Sequence, residues 1–325
     1  MINKIEGVHH ITAISGDPQP NIDFYSGVLG MRFIKQTVNQ DDPFTYHLYY
    51  GDSIGRAGSV MTFFPWPSAR RGKRGVGQVT AIPFSIPENS VDYWMERFAE
   101  LAIDFSGPTR RFDEALISLR DPDGLELELV TNPNIRDFEV WKNSIVPPEY
   151  AIQGFYGATI CLKDKTPTEN LIRDVFGFKY IGSEGNRYRF KADSGSSAAT
   201  VDLIELPDPP FGHVAVGSVH HIAWRVPNVE EQEKWRQEIA GLGFQVTPII
   251  NRFYFQSVYF RERGGVLFEL ATDGPGFAVD EREDQLGNKL VLPPWLEKNR
   301  EVIEKNLPPI KIPSIAEKYN GYHKN

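Results

Sequence analysis

Short runs with strand-like patterning recur along this chain, separated by stretches whose apolar residues return at helical spacing. Four runs read as strand starts: Val8-His9-His10-Ile11, Val79-Thr80-Ala81-Ile82, Tyr156-Gly157-Ala158-Thr159 and Val219-His220-His221-Ile222. They follow one another at intervals of roughly 63 to 77 residues, the size of one small α+β unit. A helix is expected after each. Its start is marked by Asn21 in the first unit, Ser90 in the second, Thr166-Pro167 with Glu169 in the third, and Asn228 with Glu231 in the fourth. Such side chains cap free amides, and Pro or an acidic residue suits the first turn. Three helices should end at a glycine followed within a few residues by an aromatic: Leu29-Gly30-Met31-Arg32-Phe33, Phe176-Gly177-Phe178 and Leu242-Gly243-Phe244. The second unit reads Leu101-Ala102-Ile103-Asp104-Phe105 instead. Short strands come next, as in Leu116 to Leu119, the turn Asp121-Pro122-Asp123-Gly124, and Leu125 to Val130.

The pattern predicts an α+β fold of four βαβββ modules. One module cannot bury its inner face alone, so modules are expected to pair into two half-open barrel domains. In chain order these are residues 7–134 (modules 7–67 and 76–134) and 152–273 (modules 152–207 and 217–273). Residues 274–325 form a C-terminal extension, with Pro-Pro-Trp at 293–295 and a charged helical stretch from Leu296 to Asn306, packed over the body. It carries no catalytic signal.

Composition narrows the class. Hydrophobic residues at 41% and charged residues at 24% describe a globular protein, and no apolar run is long enough for a membrane span. A net charge of −8 argues against a nucleic-acid partner. The basic cluster Arg70, Arg71, Lys73 and Arg74 reads as a solvated connector. A single cysteine, Cys161, in an apolar strand, reads as a buried, inert thiol. Together with an N-terminus lacking a signal-like apolar segment, it points to a reducing, cytoplasmic setting.

Four of the seven histidines stand in the two His-His tetrads, which open modules one and four. Histidine is a favoured transition-metal ligand, so the repeated pair suggests one metal site built from both ends of the chain. Side chains alternate faces along a strand, so neighbouring histidines cannot both aim at one ion without distortion. Either His9 with His220 or His10 with His221 is the ligand pair. Glu269, inside the apolar run Val266 to Ala271, is costly as a buried carboxylate unless bound to a cation. Two imidazoles and a carboxylate form the facial triad of non-haem Fe(II) sites, or a Zn²⁺ site with one open position. Glu128 aligns with Glu269 but has no histidine in its module, and reads as a paired or solvated carboxylate. Strict chain-order pairing would separate the tetrads unless elements exchange, so strands of modules one and four should line one cavity.

The βαβββ repeat with its His-His-Ile first strands resembles the vicinal oxygen chelate superfamily, which includes glyoxalase I, fosfomycin-resistance proteins and extradiol dioxygenases. Four modules, both tetrads, the Phe-Glu-Leu-Ala strand and the Pro-Pro-Trp tail look most like hydroquinone ring-cleaving dioxygenases. The resemblance implies that His10, His221 and Glu269 bind Fe(II), with O2 as co-substrate. His9 and His220 stand behind the ligands, orienting them or moving protons, with His220 the candidate acid–base. Arg252, Tyr259, His9 and Thr12 match substrate-contacting positions, Arg252 and Tyr259 also acting in catalysis. The implied partner is a small aromatic molecule, with assembly into a homo-oligomer left open. Two alternatives stand: a glyoxalase-type isomerase or lyase on Zn²⁺ or Ni²⁺, and a non-catalytic binder of aromatic ligands.

Overall fold

The computed structural model describes residues 2–133, 138–193 and 198–312. Module one comprises β1 (Val8–Ser15), α1 (Pro18–Ile22), β2 (Arg32–Asn39), β3 (Asp42–Gly51) and β4 (Val60–Pro65). Module two comprises β5 (Gln78–Ile86), α2 (Val91–Glu100), β6 (Phe105–Arg111), β7 (Glu114–Arg120) and β8 (Glu126–Thr131). Module three has β9 (Gly157–Leu162), α3 (Thr166–Asn170), β10 (Lys179–Glu184), β11 (Arg187–Lys191) and β12 (Thr200–Glu205). Module four has β13 (Ser218–Val226), α4 (Val229–Gly241), β14 (Ile250–Asn251), β15 (Gln256–Arg261) and β16 (Leu267–Thr272). The α+β class and the fourfold βαβββ repeat hold.

The helix starts follow the expected chemistry unevenly. Asn228 caps α4, accepting from the Glu231 amide at 2.9 Å. In module one Asp17, not Asn21, is the cap, accepting from the Gln19 amide. Asn21 is buried and accepts instead from the Tyr50 hydroxyl at 2.8 Å. Ser90 precedes α2 but donates to the Pro87 carbonyl. A short polar side chain can cap or satisfy a buried partner, and burial decides which.

Two eight-stranded sheets form, in the orders β14-β15-β16-β13-β1-β4-β3-β2 and β10-β11-β12-β9-β5-β8-β7-β6. Module one therefore shares a sheet with module four, and module two with module three. This corrects the chain-order pairing of 7–134 and 152–273. Within each module the opening strand ends its four-stranded set, and an apolar edge strand must be covered. β1, buried along its whole length, finds that cover antiparallel to β13. The linkers between modules one and two and between three and four run side by side, through bridges Arg71–Val216 and Lys73–His213. Arg74 of the basic cluster pairs with Glu126 there. Cys161 is buried in β9, and burial pushes its thiol pKa up. Among the described residues no helix is long and apolar enough to cross a membrane.

The extension is tied to module one. Leu290 bridges to Gln36 on the outer strand β2, and the Val291 amide donates to the Gln36 carbonyl at 3.0 Å. Lys35, fully buried, donates to the Phe277 carbonyl at 3.0 Å, to Asp280 at 2.7 Å and to Glu281. Tyr254 donates to the same Asp280 at 2.9 Å. The helical stretch is α5 (Arg300–Asn306); the chain end with His323 lies outside the described residues. Removing one partner of a buried ion pair strands the other charge. Lys35→Ala should therefore lower unfolding free energy by about 3 kcal/mol or more in urea titration, whereas exposed Arg282→Ala should change it little.

Candidate metal centre

The antiparallel junction of β1 with β13 assembles the site. Its register runs Val8–Trp224, His10–Ala223, Ile11–Ile222, Thr12–His221, Ala13–Val219, so His9 and His220 are both skipped. Each is the extra residue of a β-bulge, and the two bulges are related by a pseudo-twofold axis through the Ile11–Ile222 pair. A bulge bends the strand and re-aims side chains. Strict alternation would send His9 and His10 to opposite faces; instead their rings meet edge to face at 5.1 Å, as do those of His220 and His221.

His10, His221 and Glu269 offer one ligand atom each, all within 4.8 Å of one another and all buried. Glu269 comes from β16, beside β13 through the Ala223–Glu269 register. Its Oε2 lies 3.3 Å from His10 Nε2 and 3.0 Å from His221 Nε2, while Oε1 accepts from the Ser257 hydroxyl. Burial alone would push the Glu269 carboxyl up; positive charge on the His10 and His221 side holds it well below the usual range.

The hydrogen bonds set the tautomers. His9 Nε2 is 3.1 Å from the Thr272 carbonyl, which only accepts, so His9 carries its proton there. Burial, followed by the neighbouring His10, lowers the His9 pKa to about 3, so it is neutral. Its Nδ1 then accepts from His10 Nδ1–H at 2.9 Å. In that tautomer His10 Nε2 is the ring atom free to act as a ligand, 3.3 Å from a carboxylate oxygen that itself has no hydrogen-bond donor. Lone pairs converging in a buried space fit a cation between them, and the donor set suits a divalent transition metal. His220 and His221 repeat the Nδ1–Nδ1 contact at 2.7 Å, and burial lowers the His220 pKa to about 3.

A cavity of about 420 Å³ opens on this cluster. His10, His220, His221, Arg252 and Tyr259 line it. Arg252 sits 5.5 Å over the Tyr259 ring and pairs with Asp41 at 2.9 Å, bridging module four to the β2–β3 turn. Phe253, beside it, has φ 72°, and its amide donates to the Asn251 side chain. Burial pushes the Tyr259 phenol up, so it keeps its proton. His9 and Thr12, expected to touch substrate, are not on the cavity wall: His9 packs behind His10, and Thr12 accepts from Thr62 at 2.8 Å.

Sequence reasoning missed His47 and Tyr49, which also line the cavity. The signal was in the repeat, because His47-Leu48-Tyr49 matches Ser257-Val258-Tyr259. Tyr49 faces Thr62 across β3–β4 as Tyr259 faces Glu269 across β15–β16. Thr62 thus occupies module one's counterpart of the Glu269 position. In the other sheet the counterpart carboxylates meet guanidinium groups. Glu128 accepts two bonds from Arg111, each 2.7 Å, and Asp202 accepts from Arg187 and Arg189. Only about 10 Å³ of space remains there. Glu128 is paired, as one branch of the expectation had it.

Fold and donor set define a βαβββ-repeat protein with a buried three-donor pocket. The family described as Glyoxalase/Bleomycin resistance protein/Dioxygenase superfamily matches residues 7–129 and 171–270, and the chain belongs to it. Among its relatives, “Putative ring-cleaving dioxygenase MhqO” of Bacillus subtilis (strain 168) is 43% identical over 96% of this chain and 99% of its own. The “Chlorohydroquinone/hydroquinone 1,2-dioxygenase” of Sphingobium indicum is 33% identical over 90% of this chain and 93% of its own. A crystal structure of a Bacillus subtilis protein titled “putative dioxygenase” superposes with a TM-score of 0.92 at 42% identity, covering 96% of this chain and 99% of that one. Glyoxalase I from Zea mays, with a TM-score of 0.59 at 14% identity over 82% of this chain and 92% of its own, shares the fold.

His9→Phe keeps all three donors but removes the acceptor that orients His10. Titration of metal-free protein with Co(II) should show affinity reduced on the order of 10- to 100-fold, with the folded state retained; unchanged affinity would remove His9 from that role.

Proposed function

We propose that the chain is a non-haem Fe(II)-dependent dioxygenase that uses O2 to cleave the ring of hydroquinone-type, para-dihydroxy aromatics, in their catabolism or detoxification. The observation that carries this reading is the donor set: two imidazoles and one carboxylate on the adjacent strands β1, β13 and β16, with a threonine at the symmetry counterpart of the carboxylate. Three donors leave coordination positions for a phenolate and O2. A glyoxalase-type centre with four protein donors would need a stronger ligand than Thr62. The hydroquinone and ring-cleaving names of the full-length relatives support the substrate class.

His10, His221 and Glu269 would hold the metal, which when bound supplies an electron path from an electron-rich ring to dioxygen. The protein's part is orientation and charge stabilisation. Apolar walls at Phe64, Trp66, Ile250, Phe255 and Leu267 suit a single aromatic ring. Arg252 favours the substrate as an anion, and the protonated Tyr259 donates to an oxygen beside His221, whose ring is 5.6 Å away. His220, neutral and on the cavity wall, is the group through which a proton would leave or return.

Protein reconstituted anaerobically with Fe(II) should consume O2 on adding hydroquinone or its chloro or methyl derivatives. Glu269→Gln should lose that activity by at least about 10³-fold and bind iron weakly, because one buried anion of the triad is gone. Absence of uptake with every hydroquinone, with turnover of a hemithioacetal on Zn²⁺ or Ni²⁺, would replace the dioxygenase by the isomerase. Iron content unchanged in Glu269→Gln would remove that residue from the ligand set.

A further inference from the structure

The β3–β4 side of the cavity carries a hydrogen-bonded chain that the donor set does not use. Tyr49 Oη is 2.7 Å from His47 Nδ1, His47 Nε2 is 2.9 Å from Thr62 Oγ1, and Thr62 donates to Thr12 at 2.8 Å. Burial, foremost, and the nearby histidines His10 and His221 keep the His47 pKa well below its ordinary value, so the ring is neutral with one proton. Thr62 spends its own proton on Thr12, so His47 Nε2–H must donate to Thr62. His47 Nδ1 then accepts, and the Tyr49 O–H donates to it. The Tyr49 oxygen is left as an acceptor on the cavity wall.

The parts are held still. The Tyr49 ring packs edge-on against Phe277 of the extension at 5.1 Å and against Tyr254 at 6.2 Å. The His47 ring lies between Tyr49, at 4.1 Å, and Phe64, at 4.4 Å. The three metal donors crowd β1, β13 and β16, so the open side of the cluster is toward β4 and β3. β3 lies two strand spacings from β1, about 10 Å, with Phe64 and Trp66 offering apolar surface on that side. A ring with one oxygen at the donor cluster would extend toward this side of the cavity.

We propose that Tyr49, positioned by His47, is the specificity-determining acceptor for the ring hydroxyl remote from the metal donors, so that the site selects a para-hydroxyl that can donate over an ether or a bare ring edge. This rests on the hydroquinone reading and adds which groups recognise the second hydroxyl. An oxygen whose own proton is committed to His47 can take a hydrogen bond but has none to offer. A buried site built for a hydroxyl rejects analogues that leave its polar group unpaired.

The test is equilibrium binding to the Fe(II)-loaded full chain without oxygen, read by tryptophan fluorescence, with hydroquinone, phenol and 4-methoxyphenol as probes. The wild-type protein should bind hydroquinone at least about 10-fold more tightly than either analogue. Tyr49→Phe should bring all three within about threefold of one another, with iron content unchanged. His47→Leu frees the Tyr49 proton to point into the cavity, and should narrow the preference from the other side by tightening 4-methoxyphenol. A merely structural role would weaken all three probes together. No preference in the wild-type protein, or a preference retained in both variants, overturns the proposal. Oxygen uptake by the wild-type protein is scored separately. Its absence with every hydroquinone counts against the dioxygenase reading, whereas uptake without the binding preference counts against Tyr49 alone.

Discussion

Everything at the centre of this protein depends on how β1 lies against β13. The two strands run antiparallel, and each gives up one residue, His9 or His220, to a bulge at an equivalent point. That irregularity lets adjacent histidines touch through their Nδ1 atoms. The inner member of each pair then points Nε2 at Glu269, while the outer member of the first pair is fixed by the Thr272 carbonyl. A regular ladder would turn one histidine of each pair to the opposite face, away from its neighbour. The same junction brings module one to module four, so the local bulge and the global topology are two consequences of one strand pairing.

The two sheets give the same architecture opposite fillings. Around β1 and β13, the carboxylate position of one module is Glu269 and that of its mate is Thr62. Converging lone pairs and a cavity follow. Around β5 and β9 both positions are acidic, Glu128 and Asp202, and three arginines enclose them. Guanidinium groups neutralise the carboxylates with directed, bidentate bonds that leave no room for a ligand. One half of the molecule is therefore a closed ion-pair core, and the other keeps its charge balance open to an ion from solution.

The extension contributes to the site by buttressing it. Lys35 ties Asp280 and Glu281 down, Asp280 in turn accepts from Tyr254, and Phe277 packs on Tyr49. Trp295, of the Pro-Pro-Trp phrase, meets Phe253 edge to face at 5.9 Å, next to Arg252. A loop carrying the half-buried Arg252 and a residue at positive φ is held from behind. That is the rigidity a polar group needs if it is to select among ligands rather than adapt to them.

Much was legible in the residues. Period-two and helical patterning with glycine punctuation delineated four βαβββ modules, because backbone geometry enforces those periods whatever the tertiary context. The repeated His-His tetrads and the carboxylate of Glu269 in an apolar strand pointed to a buried donor cluster that could hold a cation, because such a charge is costly alone. Alternation could not choose between His9 and His10, since a bulge is a property of two strands in register. Nor could it place Asn21, whose side chain serves Tyr50 because both are buried together. Chain-order pairing failed for the same reason: which edges meet is decided by burial summed over whole faces. The repeat marks the positions of His47 and Tyr49, but their hydrogen-bond partners became visible only once β3 stood beside β4, because no spacing along the chain reveals Thr62 and Thr12. The modules and the donor types follow from the order of residues alone; the register, the tautomers and the open side of the site come from contacts between residues far apart in the chain.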